Sequence, residues 1–167
     1  MTIKKVLLLG NPQLHEISKE VKKEELKEIE KVAVDLKDTM LDFRKRYGWG
    51  RAIAAPQIGV KKRVIYMQVD EPIVFINPEM IFEGTELMEL WDDCMSFPDL
   101  LVKVKRHVRC RVKYKDLTWK DKELLFEYKM SELFQHEYDH LNGVLAVERA
   151  INGKTFALSS QKDFLNR

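Results

Sequence analysis

Two histidines, His136 and His140, stand four residues apart near the end of the chain, and Glu137 directly follows the first. Residues four apart share one face of a helix, so both imidazoles can reach the same metal ion while Glu137 lies beside it. The pattern His-Glu-x-x-His is typical of hydrolytic zinc-type sites in which the glutamate is the general base. Because the whole chain has only 4 histidines, this pairing favours a metal-dependent hydrolase over two unrelated surface side chains.

A catalytic site of this kind needs a third protein ligand and one open position. One class of metalloproteases has a further histidine six residues after the second, but this chain has Ala146 there. The remaining candidates are His15, Cys94, His107, Cys110 and Glu148. Cys94 lies in an irregular stretch, residues 91–98, without core-like periodicity, so its thiolate is the best candidate. The spacing of Cys110 is that of a small buried side chain, and His107 falls on an outward face.

The elements that must position these side chains follow from hydrophobic periodicity. Apolar residues at 3-and-4 spacing predict a long helix over residues 22–47, and a second helical pattern covers residues 129–141 and ends at Asn142-Gly143. Residues 63–69 and 73–76 are predicted strands, followed by a turn at Asn77-Pro78. Strict alternation predicts one long strand over residues 102–115 with one buried face.

That buried face includes Arg106, which needs an acidic partner there. Strands, a long helix, more strands and a late helix predict an α+β protein. We expect antiparallel or mixed sheets packed around the C-terminal helix that carries the histidines, with the long N-terminal helix outside. The chain of 167 residues is expected to form one domain over residues 1–167.

Composition excludes several classes of protein. Hydrophobic residues are 45% and charged residues 34%, which suits a folded core and not a disordered tail. The net charge of +2 argues against a specific nucleic-acid partner. No stretch approaches the roughly 20 apolar residues of a membrane span, and the apolar run at residues 6–9 is too short for a signal-peptide core. With 2 cysteines, the chain is expected to be cytoplasmic and reduced.

Three segments together resemble the peptide deformylases, which remove the formyl group from the N-terminal methionine of new polypeptides. They are GRAIAAPQ at residues 50–57, DDCMS at residues 92–96 and QHEYDH at residues 135–140. The resemblance implies that Cys94, His136 and His140 bind one divalent metal ion per chain. It implies ferrous iron as the working ion with zinc as a common substitute, and the ligand set also suits nickel or cobalt. It further implies that Glu137 is the general base and acid, and that Gln57 with the Met95 backbone N–H forms the oxyanion hole.

The chain also departs from the family pattern. Asp92-Asp93 stands where the family has Glu-Gly; Asp92 is expected to pair with Arg106 as structural support. An aspartate at position 93 is expected to be poorly tolerated, because glycine there allows positive φ and a close approach of the substrate.

The expected substrate-binding residues are Arg51, Ala52, Asp93, Glu132 and Leu133. Ala52 replaces a glycine of the family and Arg51 an apolar residue. Arg51 and Glu132 bring opposite charges to the region where the family holds the methionine side chain. We therefore hypothesise that these two residues pair at the rim of that pocket.

The expected function is thus removal of the N-formyl group from formyl-methionyl nascent peptides, with release of formate. Two alternatives remain at this point: a related amidase with another small acyl or amide substrate, and a non-catalytic metal- or peptide-binding protein. The retained Glu137 and Gln57 speak against the second. Apolar residues in the tail, residues 150–167, could dock a short helix on the domain or make a transient contact with the ribosome.

Overall fold

The computed structural model describes residues 2–165 and contains two antiparallel sheets and two α-helices. The larger sheet has the order β1-β2-β3-β6-β7 and the smaller the order β4-β5-β8. The strands are β1 (Ala52–Ala54), β2 (Val64–Gln68), β3 (Pro72–Phe82), β4 (Leu87–Asp92), β5 (Leu100–His107), β6 (Arg109–Lys115), β7 (Asp121–Glu127) and β8 (Phe156–Leu158). The predicted α+β class is confirmed, and all pairs between these strands are antiparallel.

Helix α2 (Tyr128–Leu141) is the buried centre of this arrangement. It packs against β1 and β7 of the larger sheet and against β5 of the smaller one. Ten of its residues are buried, among them Glu132, Gln135 and Asp139 as well as apolar side chains. Because both sheets cover this helix, its polar side chains need partners within the protein.

Helix α1 (Leu26–Tyr47) covers the outer side of β1 and β2, as the long amphipathic pattern predicts. A 3₁₀ turn, Lys23–Glu25, precedes it, so the α-helix itself begins four residues later than predicted. Its buried side chains include Ile29, Leu36 and Met40. The helix ends at Gly48, which adopts φ +78°, a left-handed conformation that glycine takes without a steric penalty.

The prediction of one strand over residues 102–115 is wrong, because β5 and β6 belong to different sheets. Between them, Val108 donates its N–H to the Glu86 carbonyl and accepts from the Tyr128 N–H. The predicted buried face is nevertheless correct, since Val104, Arg106, Val108 and Cys110 are all buried. Side chains keep alternating between the two faces from β5 through Val108 into β6, so the sequence pattern does not reveal the change of sheet.

The predicted turn at Asn77-Pro78 is also wrong, because β3 continues through both residues. The register of β3 against β6 shifts between Ile76 and Glu79, which marks a bulge. Asn77 adopts φ +48° there, and its side-chain amide exchanges two 2.8 Å hydrogen bonds with the backbone of Val21. These bonds compensate for the unusual backbone conformation.

The tail forms no α-helix in the described residues. Instead β8 pairs with β5 and a 3₁₀ turn, Ser159–Phe164, follows it, so this part of the tail docks on the protein's own smaller sheet. Asn166 and Arg167 lie outside the described residues. Neither α1 nor α2 combines the length and apolar character needed to span a bilayer.

Candidate active site

The structure brings Cys94, His136 and His140 together, all three buried. Helix α2 supplies the two histidines one turn apart, and the loop after β4 supplies the cysteine. The Sγ of Cys94 lies 3.3 Å from Nε2 of His140, which is 3.2 Å from Nε2 of His136. Within residues 2–165 this is the one group of three or more His, Cys, Asp or Glu side chains whose ligand atoms converge within 4.8 Å.

This donor set fits a divalent transition-metal ion. Imidazole nitrogens bind such an ion at about 2.0–2.1 Å, so two of them on a tetrahedron lie about 3.3 Å apart, close to the separation found here. A thiolate with two imidazoles suits zinc, ferrous iron, cobalt or nickel. Two other candidate metal ligands, His107 on β5 and Cys110 on β6, do not belong to this group. Cys110 is a free, buried thiol whose pKa is raised by burial, and the His107 ring stacks on Phe82.

A buried chain of ion pairs holds the first histidine. His136 Nδ1 lies 2.9 Å from the Asp92 carboxylate, to which Arg106 Nη2 donates at 3.1 Å. Arg106 Nη1 donates to Asp139 at 2.5 Å, and Arg149 Nη2 donates to the same carboxylate at 2.9 Å. A carboxylate on the far nitrogen of a metal-binding imidazole sets its tautomer and its orientation.

The expected contact between Asp92 and Arg106 is present. The bond from Asp92 to His136 and the contacts of Asp139 with Arg106 and Arg149 were not predicted from the sequence. For Asp139 a signal existed, because it lies three residues after His136 on the same helix and an inward-facing Arg106 has room for two acidic partners. For Arg149, in the 3₁₀ segment Ala146–Arg149, no local pattern pointed to the contact.

The charges of this chain shift the pKa values of its members. Burial opposes ionisation of Asp92, but the positive charges of His136 and Arg106 outweigh it and lower the pKa of the carboxyl group. Burial and the charge of His136 lower the pKa of His140 well below its usual value. A lowered pKa favours the neutral imidazole, which is the form that binds metal.

Glu137 lies on α2 beside the cluster and is buried. Its Oε2 has no hydrogen-bond partner among the described residues. Burial, aided by the negative charges of Asp92 and Glu132, raises the pKa of Glu137 to about 7. A carboxylate with a pKa near neutrality can both accept and return a proton at physiological pH.

Gln57 is a buried side chain that also reaches the cluster. It belongs to the 3₁₀ segment Ala55–Ile58, and its Oε1 accepts from the Ala54 N–H at 2.9 Å. This bond turns Nε2 toward Cys94 Sγ at 3.7 Å and Ser96 Oγ at 3.3 Å. Ser96, which the sequence analysis did not single out, also donates its backbone N–H to Cys94 Sγ at 3.4 Å.

Met95 stands between Cys94 and Ser96 in the same loop. Its side chain is buried in the core cluster that joins α1 to β1 and β2. This packing anchors the loop, and with it the backbone beside the cysteine.

A cavity of about 290 Å³ opens onto the cluster. Its lining includes all five expected substrate-binding residues, Arg51, Ala52, Asp93, Glu132 and Leu133. Arg51 Nη2 lies 3.5 Å from Glu132 Oε2, so the hypothesised contact between them is present. The backbone strain expected at Asp93 is absent, because the non-glycine residues with positive φ in residues 2–165 are Asn77, Trp119 and Tyr128. Aspartate is tolerated because the backbone there does not need the left-handed region.

Comparison with known proteins agrees with this geometry. The family model for polypeptide deformylase matches residues 3–156. The peptide deformylase of Pseudothermotoga lettingae is 35% identical over 156 residues, which are 93% of this chain and 88% of that protein. The crystal structure of peptide deformylase from Thermotoga maritima superposes with a TM-score of 0.84 at 31% identity, over 91% of this chain and 100% of that one.

A second solved structure, the class I type b peptide deformylase of Acinetobacter baumannii bound to Met-Ala-Ser, gives a TM-score of 0.81 at 31% identity, over 89% of this chain and 99% of that chain. The residues matched by the family model, 3–156, include β1–β7, both helices and all three segments around the cluster. The chain therefore belongs to the peptide deformylase family.

Proposed function

We propose that this protein is a metal-dependent deformylase that removes the formyl group from the N-terminal formyl-methionine of new polypeptides and releases formate. The observation that carries the proposal is the convergence of Cys94, His136 and His140 within 4.8 Å, with the buried Glu137 beside them. Membership of the peptide deformylase family supports the same reaction.

Cys94, His136 and His140 would hold the metal ion. When bound, such an ion lowers the pKa of water toward about 7 and polarises a carbonyl group. We propose ferrous iron as the working metal, with zinc, nickel or cobalt as substitutes that the same ligands accept. The ion pair from Asp92 keeps His136 oriented toward the site, and Arg106 supports Asp92.

In the proposed mechanism, Glu137 acts first as the general base and then as the general acid. It accepts the proton of the water that attacks the formyl carbon, and it returns that proton to the amine nitrogen as the carbon–nitrogen bond breaks. Its pKa of about 7 suits both steps at neutral pH.

Negative charge develops on the formyl oxygen as the tetrahedral intermediate forms. We assign its stabilisation to the Gln57 side-chain amide and the Met95 backbone N–H, two neutral donors that keep their own protons. Gln57 supports this role because its bond to Ala54 holds the amide in place before the substrate arrives. A preorganised donor of this type contributes about 3–4 kcal/mol to the transition state.

The side chains of Arg51, Ala52, Asp93, Glu132 and Leu133 are assigned to substrate binding, because they line the cavity that opens onto the metal ligands. The A. baumannii relative was solved with Met-Ala-Ser bound, which supports a peptide with an N-terminal methionine as the ligand of this protein. Formylated nascent chains arise at ribosomes, so we propose that the protein works in the cytoplasm and contacts the ribosome transiently.

The test is turnover of formyl-Met-Ala-Ser by protein reconstituted without oxygen with ferrous or nickel ion, followed by the formate released. We expect hydrolysis that is lost when the metal is removed and restored when it is returned. Hydrolysis of other small amides only would favour the related amidase instead. No hydrolysis by protein shown to hold one metal ion per chain would favour a binding protein.

A further inference from the structure

The segment between α1 and β1 forms part of the cavity that opens onto the metal ligands. Gly48, Trp49 and Gly50 line this cavity together with Arg51 and Ala52. Both glycines have positive φ, +78° at Gly48 and +128° at Gly50. Glycine has more backbone conformations open to it than any other residue, so a segment of this composition keeps one conformation only when other groups hold it.

The side chain of Arg44 contacts the backbone around this segment. Arg44 lies in the last turn of α1 and also lines the cavity. Its Nε donates to the Gly50 carbonyl oxygen at 2.7 Å, and its Nη2 donates to the Gln68 carbonyl oxygen at 2.8 Å. Gln68 is the last residue of β2, and its N–H donates to the Arg51 carbonyl oxygen at 2.8 Å. The guanidinium thus joins the end of α1, the segment before β1 and the end of β2.

Trp49, in the middle of the segment, is restrained by packing instead. Its ring meets the Phe43 ring edge-on, with the two centroids 4.8 Å apart, and Phe43 is buried in the core. This contact restrains a side chain but leaves the peptide groups that follow it to hydrogen bonds. Hydrogen bonds from an ionised donor are about twice as strong as those between neutral groups. The bond from Arg44 is therefore a strong restraint on the backbone at Gly50.

The conformation of residues 50–52 matters because they form a wall of the cavity. Ala52 begins β1, an edge strand of the larger sheet, and Asp92 ends β4, an edge strand of the smaller sheet. Both residues line the cavity. Edge strands present backbone N–H and C=O groups to which an extended peptide can bond. A wall that already has its binding conformation spares the cost of ordering it when the peptide arrives.

We propose, on the basis of the deformylase function argued above, that Arg44 is a positioning residue for the substrate. By holding the carbonyl groups of Gly50 and Gln68, it sets the backbone of residues 50–52 before the peptide binds. The wall holds the peptide and takes no part in making or breaking bonds, so it favours the bound substrate and the transition state equally. Loss of such an interaction raises KM and leaves kcat unchanged.

The size of the effect follows from the cost of ordering a backbone. Fixing one residue changes an equilibrium constant by a factor of about 5–30. We expect KM for formyl-Met-Ala-Ser to rise about tenfold in Arg44→Met, with kcat within about twofold of the wild type. Arg44→Lys should recover only part of the affinity, because an ammonium group is a point charge and does not bond two separate carbonyl groups as the planar guanidinium does.

The experiment measures steady-state kinetics of the metal-loaded wild type, Arg44→Met and Arg44→Lys. The matched control is Arg46→Met, which removes a guanidinium from the same helical turn, where it pairs with Asp42 at 2.8 Å. This control should keep the KM of the wild type. The proposal is refuted by an unchanged KM in Arg44→Met, by an equal rise in Arg46→Met, or by a fall in kcat without a change in KM. Full recovery in Arg44→Lys would also refute it, since charge alone would then be enough.

Calorimetry with the unformylated peptide Met-Ala-Ser separates this inference from the deformylase function. Binding that weakens about tenfold in Arg44→Met, in protein that hydrolyses no formyl peptide, would refute the deformylase activity and keep the role of Arg44. Hydrolysis with equal KM and equal peptide binding in the wild type and Arg44→Met would keep the activity and refute the role of Arg44.

Backbone order parameters of the zinc-loaded wild type need no variant, so they apply even where Arg44→Met does not fold. We expect values of about 0.85, those of a rigid backbone, at residues 49–52 before any peptide is added. Values below about 0.6 that rise only when Met-Ala-Ser binds would show that the peptide itself orders the wall, and would overturn the proposal.

Discussion

At the scale of the residue, the candidate site contains buried polar side chains with few hydrogen-bond partners. Glu137 has a pKa raised to about 7 because it is buried beside other carboxylates, and one of its oxygens has no partner in residues 2–165. Gln57 is the opposite case, since its carbonyl oxygen is fixed by Ala54 and only its NH₂ faces the cluster. The raised pKa of Glu137 suits the proton transfer proposed for it, and the fixed amide of Gln57 suits its proposed role as a hydrogen-bond donor.

Replacing Glu137 with glutamine keeps the shape of the side chain and removes its ability to take a proton. We expect kcat for formyl-Met-Ala-Ser to fall by about 10²–10⁴-fold, the usual contribution of a general base. Metal content, measured by mass spectrometry of the purified protein, should remain as in the wild type because Glu137 is not among the converging ligand atoms. Retention of more than a tenth of the activity would contradict the role assigned to Glu137.

At the scale of the element, the segments around α2 supply the partners of the buried side chains that hold His136. The loop after β4 brings Cys94 to the helix, β5 brings Arg106, and the 3₁₀ segment Ala146–Arg149 brings Arg149. Buried ion pairs of this kind cost desolvation energy when they form and destabilise a protein strongly when one partner is removed. Their use here is to orient His136.

Arg106→Met should therefore be among the most damaging single substitutions outside the metal ligands. It leaves Asp92 with His136 alone and Asp139 with Arg149 alone, and we expect a loss of about 3–5 kcal/mol in the free energy of unfolding. Metal affinity, measured by competition with a chelator, should fall by about 10–100-fold because Asp92 no longer holds His136 firmly.

The matched control is Arg111→Met. Arg111 pairs with Glu83 and Glu123 at the protein surface, and we expect a change of no more than about 1 kcal/mol with unaltered metal affinity. Equal effects of the two substitutions would show that the buried chain does not support the metal ligands.

The end of α2 depends on close backbone packing. Gly143 adopts φ +71°, and a Cβ atom there would lie 2.4 Å from the carbonyl oxygen of His15. Left-handed backbone costs a residue with a Cβ about 1–2 kcal/mol even without a clash. Gly143→Ala should thus lower the free energy of unfolding in urea by more than about 2 kcal/mol. Gly153→Ala, where a Cβ meets nothing within 4 Å, is the control and should change stability little; similar losses for both would argue against the packing account.

At the scale of the whole molecule, the proposed metal ligands come from separate parts of the structure. Cys94 follows a strand of the smaller sheet, and the histidines lie on the helix that also packs against the larger sheet. A metal ion bound to all three would join these parts in the folded state. It would stabilise that state by about 2.7 kcal/mol at a free concentration one hundred times its dissociation constant.

Reconstitution with metal should raise the melting temperature by about 5–10 °C in a chain of this size. Cys94→Ser should remove most of that increment, whereas Cys110→Ser, whose buried thiol lies outside the cluster, should keep it. The comparison uses the difference between metal-loaded and metal-free protein for each variant, so any loss of core packing cancels. An increment that survives in Cys94→Ser and vanishes in Cys110→Ser would place the metal elsewhere.

The sequence by itself determined the features that depend on local periodicity along the chain. The spacing of His136 and His140 on one helix face, the amphipathic pattern of α1 and the inward face of residues 102–112 all follow from the 3.6- and 2-residue periods, which need no knowledge of distant contacts. Local sequence context favoured Cys94 as the third ligand, and the family resemblance added Gln57 and Met95 as expected site residues. These predictions concern which way a side chain points within its own element.

Tertiary structure alone decided which elements meet. It divided residues 102–115 between two sheets and carried β3 through Asn77-Pro78. It also brought Asp139 to Arg106 and Arg149 to Asp139. Each of these outcomes depends on pairing or burial between segments far apart in sequence. The local period is the same whichever partner a segment finds, so only the folded chain selects that partner.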